Sequence, residues 1–286
     1  MSCCYATGSH SLWMKATYIK GSSSFPEFSA YGMLDDIVFG YYDSIESKII
    51  HKYINQASNS SLDEEDMNYV KYLIRHNHGR MKDRASYLSN YFNHTNDTYT
   101  LQRSSACELL DNDEPGWMTH SDVYNGQAVE EAYNDVDDNT LHFKVKWTNT
   151  DSALWTLTSG RVSLYSCIKF LKKHLVIEKN RVLKKVKPGV TFLPREKMDS
   201  TDVLLTCLAT GFYPRHINLT LLRDGQSVSD HQVTGGELLP NGDETYQMRK
   251  SLEVSTEELQ HHHYTCTAEH LSVDNKLDID LGMTGF

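Results

Sequence analysis

The hydrophobic positions change period several times along the chain, and the changes outline its organisation. From His10 the pattern is that of strands: "HSLWMKATYI" partly alternates, "FSAYGML" and "DIVFGYY" follow, and "SKII" closes the set. The stretch from Ser60 to Phe92 then takes helical spacing, with Met67, Val70, Ile74, Met81, Ala85, Leu88 and Phe92 on one stripe. Ser61 with Glu64 reads as a capping box, and Asp63 to Asp66 set negative charge on the positive helix end. Gly79 is expected to kink this helix. The order then repeats. "TYTLQRSSACEL" is strand-like, two short strands flank the turn Asn125-Gly126, and "NTLHFKVKW" alternates with Leu141, Phe143, Val145 and Trp147 on one face. A second helix opens at Thr148 or Thr150, keeps helical spacing at Leu164, Ile168, Leu171 and Leu175, and is expected to break at Gly160. Four strands then one long helix, twice, is an internal repeat of architecture. After Lys187, "PGVTF" reads as a linker, and only short strands and turns follow.

The chain has 286 residues, room for two or three domains. Its net charge of −10 argues against a nucleic-acid partner, because phosphate binding needs clustered Lys and Arg. The basic run from Lys172 to Lys187 reads as a solvated helix end and linker. No nucleophile elbow, P-loop, zinc-protease or dinucleotide fingerprint occurs, so no enzyme activity and no cofactor are expected. His261, His262 and His263 lie before a strand, and adjacent histidines point different ways, so no metal site is expected. The Asp35-Asp36 pair reads as a hairpin turn. Six cysteines stand at 3, 4, 107, 167, 207 and 266, and none makes a short metal or redox pair. Sequons at Asn59, Asn93, Asn96 and Asn218, with cysteines this far apart, favour an oxidising, secretory compartment. No apolar run of about 18 residues spans a membrane. The start "MSCCYATGS" is too short and polar for a whole signal peptide, so Cys3 and Cys4 read as leader remnant or unpaired thiols. The expectation is a cell-surface ectodomain whose membrane segment is absent from this chain.

"LLTCLATGFYPRHINLTLLRDG" and "YTCTAEH" resemble a constant-type immunoglobulin domain. Ile217, Leu219 and Leu221 face one way, Tyr264 stands two residues before Cys266, and Leu221 occupies the slot where such domains hold a Trp. Further motifs extend the resemblance over nearly the whole chain. "GSHSL", "FPEFSAYGMLDDIVFGYYDS", "YLSNYFNHT", "YTLQRSSACE" and "CIKFLKKHL" resemble successive parts of MHC class I heavy chains, here of a nonclassical, non-mammalian kind. The resemblance implies an α+β fold: two long helices on an eight-stranded antiparallel sheet, then an all-β immunoglobulin sandwich. It implies a flexible start over 1–7, a first groove half over 8–98, a second over 99–184 and the immunoglobulin domain over 185–286. It also implies the bridges Cys107–Cys167 and Cys207–Cys266, a glycan at Asn93, and beta-2-microglobulin as partner.

Peptide-presenting members hold the peptide's amino terminus with tyrosine hydroxyls. Those positions fall here on Met14, on Glu65 or Asp66, on Val162 and on His174, while the aromatic that closes that end falls on Phe170. Met14 and Val162 donate no hydrogen bond. At the other end Tyr91 is kept, but its Thr-Lys-Trp companions have no clear match, which implies a truncated or rebuilt start of the second helix. The expected function is recognition or ligand display without the standard clamp on a peptide amino terminus. An immune-cell receptor and a peptide, lipid or small molecule are the partners to consider. The alternatives are a peptide presenter with an unusual anchor scheme, and an immunoglobulin-transport or decoy protein.

Overall fold

The computed structural model describes residues 9–21, 23–51, 64–94, 98–135, 140–145, 150–196, 202–274 and 276–281, with backbone only for 51, 134–135, 140–145 and 150–163. Ser61, Asp63, Cys3, Cys4, Asn59, Asn96 and Trp147, singled out above, lie outside it. The chain divides into two compact units, Met1–Val182 and Leu183–Phe286.

The first unit opens with β1 (His10–Lys20), β2 (Phe28–Leu34), β3 (Ile37–Asp43) and β4 (Lys48–His51), followed by α1 (Glu64–Tyr91). The order repeats as β5 (Tyr99–Leu109), β6 (Pro115–Tyr124), β7 (Gln127–Asp135), β8 (Thr140–Val145) and α2 (Thr150–Val182). The eight strands form one sheet in the order β4-β3-β2-β1-β5-β6-β7-β8, antiparallel throughout, so the two halves join where β1 pairs with β5. Short turns set the register. Asn125 and Gly126 both take positive φ, the backbone a two-residue hairpin needs. At the β2–β3 turn Asp35 accepts from the Ser11 backbone N–H at 2.7 Å and holds the His10 ring at 2.8 Å, pinning β1 to the hairpin. That Asp is structural, as its turn position suggested.

Both helices lie on the same sheet face, as the strand register requires. Leu12 faces Cys107 across β1 and β5, and Cys107 is disulfide-bonded to Cys167 of α2. Tyr18, in phase with Leu12 on β1, packs with Met81, Ala85 and Leu88 of α1. Burying each large apolar side chain of that stripe stabilises the fold by about 1.5–3 kcal/mol. Gly160 does not break α2, which runs unbroken for 33 residues, and α1 runs for 28 residues through Gly79. A lone Gly weakens helix propensity by only about 1 kcal/mol, and packing on the sheet overrides that.

The second unit contains β9 (Gly189–Glu196), β10 (Asp202–Phe212), β11 (Ile217–Arg223), β12 (Gln226–Ser227), β13 (Val233–Pro240), β14 (Tyr246–Ser255), α3 (Thr256–His261), β15 (Tyr264–His270) and β16 (Leu277–Asp280). Its sheets, β13-β14-β10-β9 and β12-β11-β15-β16, are joined by the Cys207–Cys266 bridge between β10 and β15. Gly189 to Phe192 begin β9 instead of forming a linker, because Phe192 pairs opposite Cys207 and is buried in the core. Leu221 is buried opposite Cys266, so the apolar slot is filled by a smaller side chain with Leu205, Phe212 and Leu219 in the same core. The histidine run starts at the end of α3, a helix capped reciprocally by Ser255 and Glu258. His262 Nδ1 lies 2.6 Å from Asp224, and the His263 N–H donates to the same carboxylate at 2.8 Å, so these histidines tie two loops together.

Candidate functional site

The sheet face beneath the two helices is built in rows, one residue from each strand. One row is Gly32, Met14, Ser105 and His120; the next is Ala30, Ala16, Arg103 and Asp122. Met14 is half-buried in the first of these. Its neighbour Gly32 is required by packing: a Cβ there would fall 2.4 Å from the Phe39 ring. The missing side chain lets Phe39 of β3 lie over the floor. There it meets His174 at 4.3 Å between ring centroids, and Phe170 packs on His174 at 4.0 Å. His174 is 2% exposed, and its Nδ1 lies 3.0 Å from the Phe170 carbonyl, so its ring belongs to this stack. Above the stack, Asp66 near the start of α1 forms an ion pair with Lys173 of α2, which ties the two helices across the cleft.

The remaining residues selected from sequence are dispersed. Glu65 is exposed on α1. Tyr91 is half-exposed at the end of α1, stacked on Tyr87 and edge-on to Phe92. Val162 lies within α2, and its side chain is outside the described residues. Asn93 is exposed just after α1 with φ +50°, and Asn218 is exposed on β11, donating to Glu269 at 3.0 Å.

Toward the end of the cleft below Arg84 of α1, the floor carries a buried ionic network that sequence reading missed. Arg103 holds Asp122 with two bonds of 2.8 Å from Nε and Nη2. Arg84 reaches down from α1 to Glu130 and lies 3.4 Å from Asp122. His120 Nε2 is 3.6 Å from Asp122, and its Nδ1 shares a hydrogen with the Ser105 hydroxyl at 2.8 Å. Asp122 is fully buried, and two arginines balance two carboxylates. Burial pushes the Asp122 carboxyl up, but the Arg103 hydrogen bonds and charge outweigh it and hold the group below its usual range. Burial pushes the Glu130 carboxyl up despite Arg84. A signal was present: Arg103 is in phase with Leu101 and Cys107, which face the core, so its charge had to be buried too.

His120 gives a pH prediction. Burial lowers its imidazole to about 4, against the pull of Asp122 and with help from Arg103 and Arg84. The folded state therefore keeps His120 neutral where the unfolded chain binds a proton. Stability is full above the ordinary value of 6.5 and falls as pH drops from there toward 4. Glu130, with its raised value, works in the opposite direction. The comparison is therefore made between wild type and His120→Gln. From about pH 7 to about pH 4.5 the wild type is expected to lose about 2–3 kcal/mol more than the variant in urea denaturation. Equal losses would contradict a neutral buried imidazole.

Comparison with known proteins adds to this geometry. Residues 190–273 match the Immunoglobulin C1-set domain family. Over 253 residues the chain is 28% identical to mouse Major histocompatibility complex class I-related protein 1, covering 86% of this chain and 71% of that one. It is 27% identical over 255 residues to human Hereditary hemochromatosis protein, covering 87% and 71%. These matches extend well beyond the immunoglobulin unit into the sheet and helices. The chain is similar over most of its length to nonclassical MHC class I-like proteins. It is also 25% identical over 200 residues to human MHC class I polypeptide-related sequence A, covering 67% of this chain and 51% of that relative. The eight-stranded sheet with its two long helices is consistent with a class I-like groove. No helix among the described residues is long and apolar enough to cross a membrane.

Proposed function

We propose that this class I-like chain is a cell-surface recognition or ligand-display protein that does not clamp a peptide by its amino terminus. One observation carries the reading. At the end of the cleft beside Met14, the Phe39–Phe170–His174 stack occupies the floor and the Asp66–Lys173 pair ties the helices above it. A peptide ammonium needs acceptors and a first carbonyl needs a donor there; an aromatic stack and a thioether supply neither well. The neutralised ionic floor under Arg84 supports the same reading, since both arginines already hold carboxylates. In this reading 8–98 and 99–184 are the two groove halves and 185–286 is the immunoglobulin domain. Met14, Glu65, Asp66, Tyr91, Val162, Phe170 and His174 line or close the groove, and the exposed Asn93 and Asn218 carry glycans. Beta-2-microglobulin is the proposed partner on grounds of the class I-like architecture, and recognition rather than catalysis is the proposed role.

The test is to refold the chain with beta-2-microglobulin, with and without a random peptide library, then separate by size and elute ligand for mass spectrometry. The expected result is a stable complex formed without peptide, with no peptides of uniform length recovered. Recovery of short peptides of one length, with a melting temperature that rises in their presence, would overturn the reading of the groove. A monodisperse heavy chain that ignores the light chain would overturn the partner.

A further inference from the structure

A cluster of cations with no carboxylate partner among the described residues lies beside α1 and the sheet edge. A cavity of about 400 Å³ opens between α1 and the β3–β4 edge of the sheet. Lys48 of β4 and Lys71 and Arg75 of α1 line it. Lys71 and Arg75 are one helical turn apart, so both reach the same side of α1. Among the described residues none of the three forms an ion pair with a carboxylate, and no carboxylate lines the cavity. Asp43 is paired across the strands with Lys48. Its Oδ1 is turned back to accept the Ile45 and Glu46 N–H groups at 2.9 and 2.7 Å. Three unopposed cations around one cavity, in a chain of net charge −10, make a local field opposite in sign to the whole.

Apart from Ser47, the rest of the wall is largely apolar. Met67 and Ile74 of α1 face Ile49 of β4, with the Tyr42 ring beside them. Tyr42 also packs against Phe28 at 6.2 Å, so this wall continues into the core that holds α1 on the sheet. A cavity of this volume with an apolar wall and convergent charged groups has the make-up of a small-molecule site.

We propose that this cavity binds a single-chain amphiphilic anion. A carboxylate or phosphate head sits among Lys48, Lys71 and Arg75, and the apolar chain lies along Met67, Ile74 and Ile49. The charged groups supply the head's bonds, and the wall removes the tail from water. The site is separate from the floor around Met14 and independent of what the groove holds.

Calorimetric titration of the refolded chain tests this with four probes: laurate, dodecyl phosphate, inorganic phosphate and dodecanol. Saturable binding of laurate or dodecyl phosphate is expected, and which binds tighter identifies the head. Inorganic phosphate and dodecanol alone are expected to bind at least about tenfold more weakly, each lacking half of the recognition. Lys71→Glu with Arg75→Glu changes two surface residues and is expected to weaken the amphiphile by more than about tenfold. Met67→Trp fills the cavity, and is expected to abolish binding with the melting temperature kept. Absence of saturable binding, or unchanged affinity in both variants, would overturn the proposal. Inorganic phosphate binding as tightly as dodecyl phosphate would overturn the amphiphile.

Discussion

Replacing Asp122 by Asn is expected to destabilise the groove unit by about 3–5 kcal/mol. The substitution keeps the shape of the side chain and removes its charge. Asp122 is fully buried, accepts both Arg103 bonds and lies within ion-pair distance of Arg84. Without it one guanidinium charge stays buried with no carboxylate of its own, and Glu130 alone must serve both. Losing one member of a buried network costs more than the network contributes as a whole, because the remaining charges are already out of water. Removing the neighbour as well should therefore relieve part of the loss. Asp122→Asn in an Arg103→Met background is expected to be clearly milder than in the wild type, the signature of coupled sites. Urea denaturation of the single and double variants measures both. A loss below about 1 kcal/mol in the single variant, or strict additivity, would show that the network is solvated in practice.

Removal of the Cys207–Cys266 bridge by paired Ala substitution is the second large effect. The bridge closes a loop of 59 residues between β10 and β15, and both cysteines are wholly buried. Chain entropy for a loop of that length gives a loss of about 4 kcal/mol, within the usual range of about 2–5. The site has little reserve, because Leu221 packs beside the bridge where these domains otherwise hold a larger aromatic. A drop of that size is a large share of a domain's stability. The double variant is expected to be unfolded or nearly so near 37 °C, read by thermal denaturation of the isolated pair of substitutions against wild type. A melting temperature within a few degrees of wild type would refute the estimate.

The molecule divides sharply into what local pattern determined and what only contacts across the sheet decided. Strand and helix periods are local properties, so "FSAYGML", "NTLHFKVKW" and the stripe ending in Leu88 announced the repeated four-strand and helix order before any packing was known. The β-sandwich was legible for the same reason: Ile217, Leu219 and Leu221 alternate, and Tyr264 keeps its spacing to Cys266. Where the local signal was weak, as at Gly160 and "PGVTF", the reading went wrong, because burial against a sheet overrides propensity. The cleft was a matter for tertiary structure. Met14, Phe170 and His174 came to notice through resemblance, but nothing near them in sequence announced Phe39 lying over Gly32, or Lys173 reaching Asp66. Arg84, Arg103, Asp122 and Glu130 come from one helix and three strands, and their pairing depends on strand register and on where α1 rests. Lys48, Lys71 and Arg75 look like ordinary surface cations until the sheet edge and α1 enclose a cavity between them. A sequence carries periodicity within each element. The meeting of charges from distant elements is decided by the register and packing that the whole sheet and its helices reach together.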